Sequence, residues 1–409
     1  MTTTVNNEHK NIKVPNLRFK EFQGEWKEST IGEMFDLYSG NTPSRLNKEH
    51  FKGTVNWISS GELKEHYIYS SKEQISEEAA KSLKLLPVGT LVIAIYGLEA
   101  EGVRGTGSII QKPSTISQAC MSFIPKGVIE NEFLYSWYKK HGNVIGIRYA
   151  QGTKQQNLSY DILEKFKIAY PNTKEQEKLN KFISLLDERI STQNKIIDKL
   201  QSLIKGLNDF LYTQYGGEVL TSFAELGTSY SGLSGKSAQD FGSGKPFITY
   251  LNVYSNNVIK ENDFQYVAIK DDEKQNVVKY GDVLFTLSSE TPEEVGVGSV
   301  YLGKEKVYLN SFCFGIHITN TEVAFPPYLS YYVSLTAFRK FIYPYAQGST
   351  RFNLCKADFE KASIKLPTLE NQKLIYSILG HIDCKIETER QLLALYNSQK
   401  QYLLRQMFI

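Results

Sequence analysis

The sequence predicts a mixed α/β (α+β) fold: two similar globular domains separated by two long helices that pair as an antiparallel coiled coil, the whole forming a pseudo-twofold internal repeat. Three observations carry this. The decapeptide YAQGTKQQNL (149–158) returns as YAQGSTRFNL (345–354), with six of ten residues identical. Downstream the offset of 196 holds without a gap: Ile168 meets Ile364, Pro171 meets Pro367, Gln176 meets Gln372, Asp187 meets Asp383 and Ile190 meets Ile386. Each copy then ends in apolar residues stepping by four and three, which is heptad spacing.

Upstream the match drifts by a few residues, as loops of unequal length require. LPVGTLVIAI (86–95) is similar to VKYGDVLFTL (278–287), GSI at 107 to GSV at 298, and FLYSWY (133–138) to YLSYYV (328–333), while Cys120 falls opposite Cys313. The chain is therefore one unit written twice, roughly 14–211 and 217–409. A length of 409 residues suits two domains plus connectors.

Within each unit the first part, about 140 residues, alternates short β-branched and aromatic runs with Gly/Ser/Asn loops, which indicates a compact α/β domain. LVIAIY (91–96) reads as a buried strand, too short for a bilayer. The second part is a helix. In the first copy its seam is Leu179, Ile183, Leu186, Ile190, Gln193, Ile197, Leu200, Ile204, Leu207 and Leu211. Thr173 and Gln176 form a candidate capping box after Pro171. In the second copy the seam is Ile375, Leu379, Ile382, Ile386, Glu389, Leu393, Tyr396, Lys400, Leu403 and Met407. Gln193 and Glu389 are equivalent, and one polar layer helps fix a register. Either the seams pair, or each packs only on its own domain. Pairing is favoured because each runs 33 residues, roughly 50 Å of helix.

Composition excludes several classes. Hydrophobic content of 41% with 22% charged residues is that of a soluble globular protein. A net charge of +3 leaves no global basic field, so phosphate contacts must come from local patches. The stretch MTTTVNNEHKNIK has no apolar core for a signal peptide. Four cysteines without CxxC and six histidines without HExxH point to a reduced cytosolic chain lacking a structural metal.

Three resemblances to catalytic motifs fail on chemistry. FPPY (325–328) lacks the Asp or Asn that an adenine methyltransferase needs before its prolines; the prolines open a helix instead. GSGK (242–245) is followed by Pro246 where a phosphate loop needs Ser or Thr, and reads as a flexible loop. GLEAEGVRGTG (97–107) has Ile110 at the place of a third glycine, and reads as a turn between strands.

The combination of motifs resembles the specificity subunit of type I restriction–modification systems, over essentially the whole chain. VPNLRFKEFQGEWKESTIGE (14–33) is similar to that family's opening and QYLLRQMFI to its end. GTKQQNLSYDILEKFKIAYPNTKEQEKL and GSTRFNLCKADFEKASIKLPTLENQKLI resemble its junctions between target-recognition domain and conserved helix. Asn371 departs from the usual Glu before Gln, and Ala169-Tyr170-Pro171 from the common double proline. The resemblance implies a first target-recognition domain over 1–170, a spacer helix over 171–215, a second recognition domain over 216–366 and a second spacer helix over 367–409. It also implies that each recognition domain reads half of a bipartite target in double-stranded DNA. The helices would set the unread gap and dock two methyltransferase subunits, with motor–nuclease subunits joining for restriction. This chain would be cytoplasmic, bind no membrane and hold no cofactor; S-adenosylmethionine, ATP and Mg would sit in the partners. The alternative is a non-catalytic scaffold whose two heads bind protein.

Base readout needs hydrogen-bonding side chains on loops that can enter a groove. Three regions qualify in each copy. The first is SGNTPSR (39–45), with Asn41, Thr42, Ser44 and Arg45, against the longer SGLSGKSAQDFGSGK (231–245), with Ser234, Lys236 and Lys245. The second is GLEAEGVRG (97–105), with Arg104, against SSETPEEVG (288–296), whose Glu290, Glu293 and Glu294 read as solvated. The third is the repeated decapeptide, with Lys154, Gln155 and Gln156 against Thr350, Arg351 and Phe352.

Overall fold

A computed structural model describes residues 13–98, 103–152 and 156–409. Lys154 and Gln155 therefore lie outside the described residues. By contact the chain divides into two units, one of residues up to Asn194 together with Gln391–Ile409, the other Lys195–Arg390. Each unit holds one head and a half-length of both long helices, Thr173–Tyr215 and Leu369–Met407.

The first head begins with a ribbon in which Lys27–Thr30 pairs antiparallel with Lys167–Tyr170. Thr30 then caps a single helical turn, with Glu33 closing the capping box. The main sheet runs in the order Phe35–Ser39, Cys120–Pro125, Leu91–Ala94, Gly107–Ile110, Tyr67–Ile68. A smaller sheet follows the order Glu73–Ile75, Val55–Ile58, Ser114–Ile116. LVIA is buried on both faces for a visible reason. Leu91 and Ile93 join the core under helix Asn131–Tyr149, while Val92 and Ala94 join a second core with Ile58 and Ile116. Side chains of period two thus serve two layers at once.

The second head repeats this plan. Its ribbon is Val219–Thr221 on Ile364–Leu366. Its main sheet runs Gly227–Ser231, Cys313–Ile318, Val283–Thr286, Gly298–Val300. The smaller sheet runs Gln265–Val267, Phe241–Ile248, Tyr308–Leu309. The long helix of the first head is here two short ones, Pro326–Tyr332 and Thr336–Ile342, the former opened by its prolines. GSGK is not a flexible loop. It lies in strand Phe241–Ile248, where Gly242 and Gly244 at φ +111 absorb a bulge between Phe241 and Lys245.

The seams pair antiparallel and also complete the head cores, so both packing modes are real. In the first unit Lys400 bonds Asp187, and Arg189 stacks on Tyr396, so one number rises as the other falls. Leu179, Ile183 and half-buried Leu186 join Leu403 and Met407 in the core of the first head. In the second unit Ile375 and Leu379 share a core with Leu211, Ile204 and Leu207. No seam position is exposed: Ile190, Leu200, Ile382 and Leu393 are half-buried, and Gln193, Ile197, Ile386 and Glu389 are buried. Lys385 forms an ion pair with Glu389 along the second helix.

The helix starts differ from the expected capping box. Asn172 Oδ1 accepts from the Glu175 amide at 3.1 Å, and Thr173 is already the first helical residue. Gln176 is released for another task. Its Nε2 donates to the Val128 and Pro171 carbonyls and its Oε1 accepts from the Glu130 amide at 3.0 Å. Gln372 does the same with Val323, Pro367 and the Phe325 amide. These two fully buried glutamines clamp each helix start to its head. Glu175 adds a buried carboxylate bound by two nitrogens of Arg18 at 2.7 Å, a partner its counterpart Asn371 lacks.

Candidate nucleic-acid interface

The repeated decapeptide is a hairpin in both units. Ala346–Gln347 pairs antiparallel with Phe352–Leu354, and Gln151 bridges Asn157 in the same way. Gly348 (φ +143) and Gly152 (φ +121) occupy backbone conformations that side chains avoid, and a Cβ on Gly348 would sit 2.1 Å from the Arg351 carbonyl oxygen. The constant residues therefore make the ladder and turn, and in the second unit the variable ones lie between them. Thr350 and Arg351 are exposed there, and Phe352 begins the return strand. Gln156 is half-buried. Its carbonyl accepts from the Gly97 and Leu98 amides, and its Oε1 is buried without a partner among the described residues.

The fold brings the three candidate regions together around a turn that the sequence did not advertise, Ser117–Cys120 in one unit and Asn310–Cys313 in the other. The first region docks on it through Gly40 N to Cys120 O at 3.2 Å and Gly232 N to Cys313 O at 3.2 Å. Gly40 and Gly232 are required by close approach, since a Cβ would come 2.1 and 2.0 Å from the carbonyl oxygens of Ile116 and Asn310. The second region docks through Ile95 N to Ala119 O and Leu287 N to Phe312 O, both 2.9 Å. The hairpin then pairs with the second region, Asn157 with Tyr96 in one unit and Phe352 and Asn353 with Ser289 and Ser288 in the other. Arg351 closes the second site by placing its guanidinium 5.8 Å from the ring of Phe312, which is 54% exposed.

The candidates differ sharply in what holds them. Asn41, Ser44, Ser234 and Lys245 are exposed, and Thr42 is half-buried. Arg45 is exposed but engaged: two nitrogens donate to Glu73 at 2.6 and 2.7 Å, and its guanidinium lies 4.2 Å from the Phe51 ring centroid. That pair raises the Arg45 pKa and lowers that of Glu73. Lys236 is more deeply engaged, its side chain only 8% exposed and its Nζ donating to Glu273 and the Ala268 carbonyl. Arg104 is half-buried, donates to the Leu98 carbonyl at 3.0 Å and packs on Gly146. Of the acidic group, Glu290 and Glu293 are exposed, whereas Glu294 accepts from Tyr254 at 2.7 Å and Ser289 at 2.9 Å, which lower its pKa. Arg339, unmarked in the sequence, pins this loop by donating to the Glu293, Val295 and Gly296 carbonyls.

What is presented is a pair of equivalent platforms. Exposed polar or cationic groups stand on the first region of each, Asn41, Ser44 and Arg45 in one and Ser234 and Lys245 in the other, and Thr350 and Arg351 add to the second. A sequence family described as type I restriction modification DNA specificity domain matches residues 23–202 and again 227–395. The chain belongs to this family. Each specificity-domain match takes in one head and most of the helix that follows it. The chain is 32% identical over 212 residues to the Escherichia coli type I restriction enzyme EcoR124I/EcoR124II specificity subunit, covering 51% of this chain and 50% of that one. It is 29% identical over 185 residues to the Methanocaldococcus jannaschii type I restriction enzyme MjaIX specificity subunit, covering 43% and 42%. These matches thus span about half the length of those relatives or less. The fold is shared with the type I S subunit from M. genitalium, with a TM-score of 0.53 at 14% identity over 97% of this chain and 99% of that one. A chain from a structural study of type I R-M complex assembly gives a TM-score of 0.58 at 16% identity, covering 93% and 96%. Among the described residues no helix is long and apolar enough to cross a membrane.

Proposed function

We propose that the chain is the DNA-recognition subunit of a type I restriction–modification complex, and that each specificity domain reads one half of a bipartite duplex target. The observation that supports this is the repeated ladder, Ala346–Gln347 on Phe352–Leu354 in one unit and Gln151 on Asn157 in the other, whose sequence between the constant residues changes from Lys154-Gln155-Gln156 to Thr350-Arg351-Phe352. A scaffold that keeps its ladder and varies the residues between is what two readers of different sequences require. Exposed Asn41, Ser44, Ser234, Lys245, Thr350 and Arg351 are the contacts the geometry favours. Lys236 and Arg104 support the platform.

In this reading the two long helices set the unread gap and dock methyltransferase subunits, and motor–nuclease subunits complete the restriction complex. Catalysis, with S-adenosylmethionine, ATP and Mg, belongs to those cytoplasmic partners. The test exchanges residues 25–165 for the corresponding domain of a relative and maps methylated sites in the cell. One half of the target changes and the other persists; a change in both halves refutes modular reading.

A further inference from the structure

The two units share a backbone but not a side-chain cluster beside the helices. In the first, the Ile109 amide donates to the His66 carbonyl at 2.8 Å and Tyr67 pairs in parallel with Ile109. In the second, the Val300 amide donates to the Asn257 carbonyl at 2.9 Å and Val258 pairs in parallel with Val300. Backbone equivalence thus sets His66 against Asn257 and Tyr67 against Val258. The 196-residue register sets Asp187 against Asp383 and Lys400 against Ile204, and Tyr331, on the helix that replaces the one carrying Tyr135, reaches Asp383.

In the first unit this place is full. His66 lies stacked between the rings of Tyr67 and Tyr135, with centroids at 4.1 and 4.0 Å. Its ring nitrogens meet Asp187 and Glu132, both at 2.8 Å, and Lys400 completes Asp187. In the second unit the covering groups are gone, and a cavity of about 950 Å³ remains. Asp383 is exposed, and among the described residues its one partner is the Tyr331 hydroxyl. Asn208, which also lines the cavity, is 3% exposed; its Nδ2 donates to the Tyr331 carbonyl, but its Oδ1 is buried with no partner among the described residues. Exposed Lys205, Lys260 and Arg390 line the cavity as well, yet none forms an ion pair with Asp383.

We infer that this cleft is a docking site for a polypeptide segment of a partner, which presents a basic or imidazole side chain to Asp383 and acidic side chains to Lys205, Lys260 and Arg390. The first unit shows what covers such a floor: polypeptide side chains, a histidine and a tyrosine, laid against the equivalent aspartate and a tyrosine of the adjoining helix. The volume is at the upper end for ligand pockets and exceeds what one side chain fills. A partner using it engages the second unit alone, since the first carries its own filling.

The probe is the peptide ELKEHYIY, the chain's own Glu62–Tyr69 segment, which carries the required acid, base and rings. Added to the full chain, it binds saturably below about 1 mM by fluorescence anisotropy. D383N weakens it at least about tenfold, a loss of ~1.4 kcal/mol. N257H/V258Y, which regrows the native filling at two exposed positions, abolishes it. Alkylation of exposed Cys384, which lines the cleft, slows in the presence of peptide. Absence of saturation, equal affinity for the wild type and both variants, or unchanged Cys384 alkylation at saturating peptide overturns the assignment.

Discussion

Replacing Gln372 with leucine tests how the second head is fastened to its helix. The side chain is fully buried and makes three hydrogen bonds: it accepts from the Phe325 amide at 2.7 Å and donates to the carbonyls of Val323 at 2.8 Å and Pro367 at 2.9 Å. At about 1 kcal/mol net per bond the loss is about 3 kcal/mol, and stranding the Phe325 amide adds to it. The apolar gain of leucine returns about 1 kcal/mol. The expected destabilisation is therefore about 2–3 kcal/mol. With a slope near 2 kcal/mol per molar urea, that moves the midpoint of the second unit's transition by about 1 M. Hydrogen exchange gives a local readout, because protection of the Phe325 amide should fall before the rest of the head responds. Gln372→Glu separates the roles, since a carboxylate can accept from Phe325 but cannot donate to either carbonyl. It should be at least as damaging as leucine. A midpoint within about 0.2 M of wild type, with Phe325 protection intact, would refute the clamp.

Two other expectations follow from the same geometry. Burial alone would push the His66 pKa down, but its hydrogen bonds to Asp187 and Glu132 outweigh that and hold it above the ordinary value. Its stabilising contribution is complete below the ordinary imidazole range and is lost as pH rises through the higher folded value. Asp187, lowered by His66 and Lys400 against the effect of burial, fails instead in acid. The urea midpoint of the wild type should fall toward that of H66N as pH rises above the ordinary imidazole range; parallel curves would contradict the paired imidazolium. Arg351→Ala should weaken DNA binding of the assembled complex by about 1–3 kcal/mol while leaving the melting temperature unchanged. Lys236→Ala should do the reverse, because its amine is committed to Glu273 and Ala268. Equal effects of the two on binding would erase the distinction between reader and support.

The repeat and the heptad seams were legible because each is written in local pattern: a fixed offset and a four-three step. What the sequence hid depends on distant partners. Arg45 and Lys236 have the composition of DNA readers, and nothing near them marks Glu73, 28 residues away, or Glu273, 37 residues away, as the carboxylates that engage them. Gln176 looked like a capping residue because its spacing from Thr173 fits a cap, yet Asn172 took that role and freed Gln176 to clamp the head. GSGK looked like a loop because glycine disfavours strands, and it is glycine that lets this strand bulge. The turns at 117–120 and 310–313 carry no motif, but the first two candidate regions of each unit dock on them.

The central claim, that each head reads its own half-site, is tested most directly by making the heads identical. Thr30 and Ser222 cap the equivalent first turns, Phe166 immediately precedes the return strand of the first ribbon, and its register equivalent Ala362 lies two residues before Ile364, where that of the second begins. Replacing Ser222–Ala362 with a second copy of Thr30–Phe166 therefore joins like to like. The measurement is the set of methylated sites in cells carrying this chain with its methyltransferase partner. Two copies of the half-site read by the first head, replacing the two different halves of the wild-type target, is the predicted result. Persistence of the second wild-type half-site would contradict it.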